Sequence, residues 1–200
     1  MGDIVINSDL FFQRLERLTT HLSTHKGSIW GGVDAITIPL GSSGEDELNY
    51  SKSAALHLYL FGYELPDSII VLSRNQLYFM ATAKKCNIVK SSLQSTSSMS
   101  INVLEKTKDE GQNRENLNAL INVVRRGGGK KLGGLMKDKY NGAFIPSWLS
   151  VIEQSQLEIF EINTALGLFL SVKDEAEQVR DIVGLRSMLI EGITGTRMVS

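Results

Sequence analysis

Two short apolar runs, Ser68-Ile69-Ile70-Val71-Leu72 and Gln76-Leu77-Tyr78-Phe79-Met80, stand only three residues apart. β-Branched and aromatic side chains at that density favour extended chain. Ser73-Arg74-Asn75 leaves room for nothing but a tight reversal. The pair therefore predicts an antiparallel hairpin, and any larger sheet must accommodate it.

On either side of the hairpin, strand-like and helix-like segments alternate. Ser8 is the expected cap of a first helix carrying Phe11, Phe12, Leu15, Leu18 and Leu22, stopped at Gly27. Val33 to Leu40 reads as a strand with Pro39 near its end, and Gly41 to Glu47 as a solvated loop. Ser51 or Ser53 caps a helix bearing Ala54, Leu56, Leu60 and Phe61 and ending at Gly62. Beyond the hairpin, Thr82 is the expected cap of a helix with Ile88, Val89 and Leu93, and serine-rich Ser91 to Ser100 reads as a loop. Three strand–helix alternations follow. Ile101 to Leu104 precedes a helix with Leu117, Leu120, Ile121 and Val124. Lys131 to Met136 precedes one around Trp148, with Pro146 in its first turn. Leu157 to Ile162 precedes a short helix over Leu166 to Leu170. Lys173 to Ile190 reads as a longer amphipathic helix. Alternation interrupted by one hairpin predicts an α/β fold: a mixed sheet of about six strands flanked by helices.

Bulk properties narrow the functional classes. A net charge of −1 argues against a dedicated nucleic-acid binder, although 17 basic residues face 14 acidic ones up to position 140 and 4 face 8 beyond it. The single cysteine, Cys86, excludes an internal disulfide framework and fits a reducing compartment. No basic region followed by an apolar run marks a secretory signal, and no apolar stretch approaches the roughly 20 residues needed to cross a bilayer. Nucleus or cytoplasm is the expected location.

Each motif that suggests chemistry has a plainer reading. His21 and His25 lie one turn apart, a spacing that can chelate a metal, but no carboxylate or cysteine stands in the adjoining turn. Arg125-Arg126-Gly127-Gly128-Gly129-Lys130-Lys131 looks like a phosphate cradle. A P-loop, however, needs a glycine where Val124 stands and a hydroxyl where Lys131 stands, and it runs from strand to helix. A glycine-stopped helix with basic residues at its negative end accounts for the run. Trp30 and Trp148 read as core aromatics with satisfied N–H groups, and Gly31-Gly32 as a tight backbone approach. Cys86, despite Lys84 and Lys85 beside it, reads as a structural thiol. With His57 mid-helix between leucines and no GxSxG or HExxH, no nucleophile–base pair, metal site or cofactor site is expected.

Three stretches carry a specific resemblance: Trp30-Gly31-Gly32-Val33-Asp34-Ala35-Ile36, Lys52-Ser53-Ala54-Ala55-Leu56 and Leu60-Phe61-Gly62-Tyr63-Glu64-Leu65-Pro66. In this order they resemble the amino-terminal, aminopeptidase-like domain of the large subunit of the FACT histone chaperone. The likeness continues more loosely through Lys137-Asp138-Lys139-Tyr140 and Ser147-Trp148 to Val172-Lys173-Asp174-Glu175. It implies the amino-terminal lobe of the creatinase–prolidase superfamily over residues 1–171, with 172–200 beginning a second, pita-bread lobe that the chain truncates. It further implies a nuclear, chromosomal, non-catalytic module that aids nucleosome reorganisation in transcription, replication and repair. The implied partners are histones and other chromatin or replication factors, with an HMG-type small subunit bound through other domains. Neither sequence-specific nucleic-acid contact nor membrane attachment is implied.

Within that reading Thr82, Lys84 and Lys85 are the candidate contacts. A helix start offers free N–H groups, which suit a carboxylate-bearing segment better than a lysine-rich tail. The alternative is the substrate-cleft or dimerisation lobe of a metal-dependent aminopeptidase P or prolidase, whose metal ligands would all lie in the second lobe.

Overall fold

The computed structural model describes residues 4–42, 51–126, 128–135, 138, 140 and 142–172. Six strands form one sheet: β1 (Ala35–Leu40), β2 (Ser68–Ser73), β3 (Gln76–Thr82), β4 (Ser100–Lys106), β5 (Lys131–Gly134) and β6 (Glu158–Glu161), in the spatial order β4-β3-β2-β1-β5-β6. The hairpin pairs β2 and β3 antiparallel, with Leu72 opposite Leu77 and Ile69 opposite Met80. Only Arg74 and Asn75 separate the two strands, one residue fewer than the apolar pattern predicts. β1 is antiparallel to β2, whereas β3–β4, β1–β5 and β5–β6 are parallel. Five strands thus point one way and β2 alone runs back. Pro39 stands opposite Ile69 of β2, one residue from the end of that pairing, so its missing N–H falls at the last rungs of the ladder.

Six helices cover both faces. α1 (Ser8–Thr24), α2 (Lys52–Phe61), α3 (Ala83–Ser92) and α6 (Asn163–Ser171) pack against Ile36, Ile38, Ile70, Leu72, Leu77 and Phe79. α4 (Glu110–Arg125) and α5 (Phe144–Gln154) pack against Ala35, Ile69, Val71, Tyr78 and Met80. The alternation of these residues between faces is the two-residue period of a strand. Both tryptophans are fully buried with their indole N–H satisfied: Trp30 Nε1 donates to His21 Nδ1 at 3.1 Å, and Trp148 Nε1 to Thr37 Oγ1 at 3.0 Å.

Several local expectations need correction. The cap of α1 is Asn7, whose side chain accepts from the Leu10 N–H, so Ser8 is already helical. The serine-rich loop is shorter than expected, because α3 takes Ser91 and Ser92 while β4 takes Ser100. Leu93 and Met99 are buried and pin its two ends. Ser51, the first of the two candidates, caps α2 by accepting from Ala54 N–H, and Gly62 ends that helix at φ 75°. β5 and β6 are shorter than their apolar runs, and α6 begins at Asn163, three residues earlier than its apolar stretch. The expected Lys173–Ile190 helix and most of the Gly41–Glu47 loop lie outside the described residues.

Candidate functional site

Because five strands share a direction, the sheet has two chemically distinct ends. At one end lie the carboxyl termini of β1, β3, β4, β5 and β6. The chain builds leftward from β1 through β4 and then crosses back to β5, so the switch point lies between β1 and β5, the place where open α/β sheets present ligand sites.

Thr82, Lys84 and Lys85 all fall at this carboxyl end, at the start of α3. Thr82 holds the extended N-cap geometry, yet its hydroxyl makes no capping bond, contrary to expectation, so the first-turn N–H groups are not closed off by it. Lys84 is exposed. Lys85 is half-buried and its ammonium donates to the Pro66 carbonyl. Burial pulls the Lys85 pKa down from the ordinary lysine value, while the Asp67 charge opposes the shift. Of the three, the structure places Lys84 freely in solvent and ties Lys85 to the loop ahead of β2. Cys86 is fully buried, with Sγ donating to the carbonyls of Ala81 and Leu104 at 3.2 and 3.3 Å, and burial raises its pKa. It is a packed thiol with little thiolate character.

Sequence reasoning missed a second polar group at the same end, gathered at the switch point. Lys52 Nζ donates to Asn163 Oδ1 at 2.6 Å, and Ser53 Oγ to Asp138 Oδ2 at 3.3 Å. Tyr140 donates its hydroxyl proton to the Leu135 carbonyl, and Ser42 Oγ donates to Asp67 Oδ1 at 3.0 Å. Burial raises the pKa of Asp138, with the Ser53 hydrogen bond opposing, and burial together with the Asp138 charge raises that of Tyr140. The available signal was the polar pair Lys52-Ser53 opening an apolar helix, but its partners lie far along the chain.

At the opposite end one carboxylate is held by internal bonds. Asp34 Oδ1 accepts from Lys26 Nζ at 2.9 Å, and Oδ2 accepts the backbone N–H groups of Lys130 and Lys131 at 2.9 and 3.1 Å. The apparent phosphate cradle therefore binds a carboxylate of its own chain. Burial pushes the Asp34 pKa up, but these three donors outweigh it and hold the group below the usual range. A Cβ on Gly129 would lie 2.1 Å from the Val124 carbonyl oxygen, and one on Gly31 (φ 62°) 2.3 Å from the Phe160 ring, so both glycines are required by close approach. Among the described residues no group of three or more His, Cys, Asp or Glu is placed to hold a metal ion. His21 and His25 lie 4.7 Å apart, ring to ring, with one His21 nitrogen engaged by Trp30.

A mixed six-stranded sheet in this order, with helices on both faces, is a fold seen also among aminopeptidases. An aminopeptidase P from Streptococcus thermophilus shows the same fold, with a TM-score of 0.51 at 14% identity over 80% of this chain and 97% of that one. A family model described as the FACT complex subunit SPT16 N-terminal lobe domain matches residues 6–165, and the chain belongs to that family. The FACT complex subunit spt16 of Aspergillus fumigatus is 32% identical over 182 residues, which cover 88% of this chain and 18% of that protein. The N-terminal domain of FACT complex subunit SPT16 from Eremothecium gossypii superposes with a TM-score of 0.77 at 26% identity, covering 88% of this chain and 40% of that one. The chain spans less than a fifth of the length of the curated relatives it matches.

Proposed function

We propose that this lobe is a non-catalytic protein-binding module of a FACT-type histone chaperone, acting in the nucleus on chromatin. The observation that carries the reading is the family match across residues 6–165. The chemistry agrees with it. The polar groups at the carboxyl end pair with one another, Lys52 with Asn163 and Ser53 with Asp138, and so present a shaped polar surface. Its partners are histones or other chromatin and replication factors, with a small HMG-type subunit engaged through other parts of the full protein. We further assign residues 1–171 to the lobe itself and 172–200 to the start of a second lobe.

Within this reading Thr82, Lys84 and Lys85 are contacts at the open first turn of α3. Titration of the chain into fluorescently labelled core histones, and into peptides from chromatin factors, tests the assignment. Lys84→Ala with Lys85→Ala should weaken at least one of these interactions several-fold while leaving the circular dichroism spectrum unchanged. Unchanged affinities throughout would remove the patch from the site.

A further inference from the structure

The amino end of the sheet carries a cleft of about 330 Å³ between the last turns of α1, the start of β1 and the tip of the β2–β3 hairpin. Leu22, Val33 and Leu72 give it an apolar floor; Thr19, Ser23, Lys26, Asp34 and Arg74 supply its polar rim. The size suits one apolar side chain and its neighbours, near the lower bound of natural ligand pockets (about 300 Å³).

The hydrogen-bonding state of that rim determines what it can recognise. Thr19 Oγ1 donates back to the Leu15 and Glu16 carbonyls, Ser23 Oγ to Thr20 and Ser73 Oγ to Gln76, so the hydroxyl protons are engaged. Asp34 is engaged by one ammonium and two backbone N–H groups. Arg74 is different: it is exposed at the hairpin tip and, among the described residues, has neither an ion pair nor a hydrogen bond. Lys26 directs one N–H at Asp34 and keeps further donors for another acceptor. What the cleft has left to offer is cationic donors above an apolar floor. A phosphate group would want several converging N–H groups, and those nearest, at Lys130 and Lys131, are already taken by Asp34.

We infer that this cleft docks an acidic peptide segment of a partner protein, seating an apolar side chain on Leu22, Val33 and Leu72 with an adjacent carboxylate on Arg74. The site lies at the opposite end of the sheet from Thr82, Lys84 and Lys85 and does not depend on the histone reading.

The test is fluorescence anisotropy of the 200-residue chain with a short fluorescein-labelled peptide carrying Leu between two Asp in a Gly/Ser background, and with its Asp→Lys counterpart. The wild type should bind the acidic peptide saturably and the basic one weakly. Arg74→Glu, an exposed change that leaves packing intact, should weaken the acidic peptide by about tenfold or more and improve the basic one. Thr19→Trp, which fills the cleft, should weaken both, whereas Lys108→Ala, an exposed change just beyond the carboxyl end of β4, should alter neither. Absence of saturable binding, indifference to Arg74→Glu, or loss of the acidic peptide on Lys108→Ala would each overturn the inference.

Discussion

The two ends of the sheet use similar residues for different purposes. At the amino end, Asp34, Lys26 and the Lys130–Lys131 backbone form a closed set of donors and acceptor that ties β1 to β5 and to the loop after α1. At the carboxyl end, the polar residues pair side chain to side chain across helix starts, and Lys84 projects into solvent. A charged residue engaged by backbone N–H groups cannot be removed without leaving those donors bare. A charged residue in solvent can. The Asp34 set therefore contributes to stability, and the exposed Lys84 does not.

The largest expected effect comes from the core both ends share. His57 is fully buried on α2, and burial pulls its pKa to about 3, with an interaction at the Ile38 backbone opposing the shift. The folded state therefore holds this ring neutral. Its contribution is intact above the ordinary histidine value of 6.5 and is lost as pH falls from there toward 3. Over that window the loss is on the order of 4–5 kcal/mol. Chemical denaturation of His57→Leu at several pH values should show this slope abolished; an unchanged slope would mean the ring is protonated in place.

Next in size is Gly31→Ala, which forces a side chain into positive φ against the Phe160 ring and should cost about 3 kcal/mol in urea denaturation. Asp34→Ala strips an acceptor from two backbone N–H groups and one ammonium and should cost about 2 kcal/mol at neutral pH. Because the Asp34 pKa is depressed in the fold, its contribution is present above the ordinary carboxylate range and disappears as pH falls through the lowered value. Measuring it in a His57→Leu background separates the two acid-sensitive groups. The smallest effect belongs to the carboxyl end: Lys84→Ala with Lys85→Ala should leave stability within about 1 kcal/mol of wild type. A loss comparable to that of Asp34→Ala would erase the distinction between the ends.

Fold and site were legible in the sequence to different depths. The hairpin, the strand–helix alternation and the burial of both tryptophans follow from local apolar patterning, which the packed sheet respects. Boundaries depended on competition between neighbours. Asn7 and Ser8 are both good caps, and Asn7 is the one that accepts the Leu10 N–H. Arg14, buried among the apolar residues of α1, has no signature in the helical period, because its guanidinium is satisfied by the Tyr59 carbonyl from another helix. The switch-point group was invisible for the same reason: Lys52 meets Asn163 across 111 residues. The glycine-rich run reads in sequence as a helix stop and not as a P-loop, and nothing local shows that Asp34, 96 residues away from Lys130, accepts from its backbone.

The central proposal is a non-catalytic lobe that binds protein partners and leaves their peptide bonds intact. The most direct measurement is to incubate the full-length protein with Xaa-Pro peptides and divalent metal, following release of the amino-terminal residue. The account predicts no hydrolysis above the metal-only blank; metal-dependent turnover abolished by a chelator would contradict it.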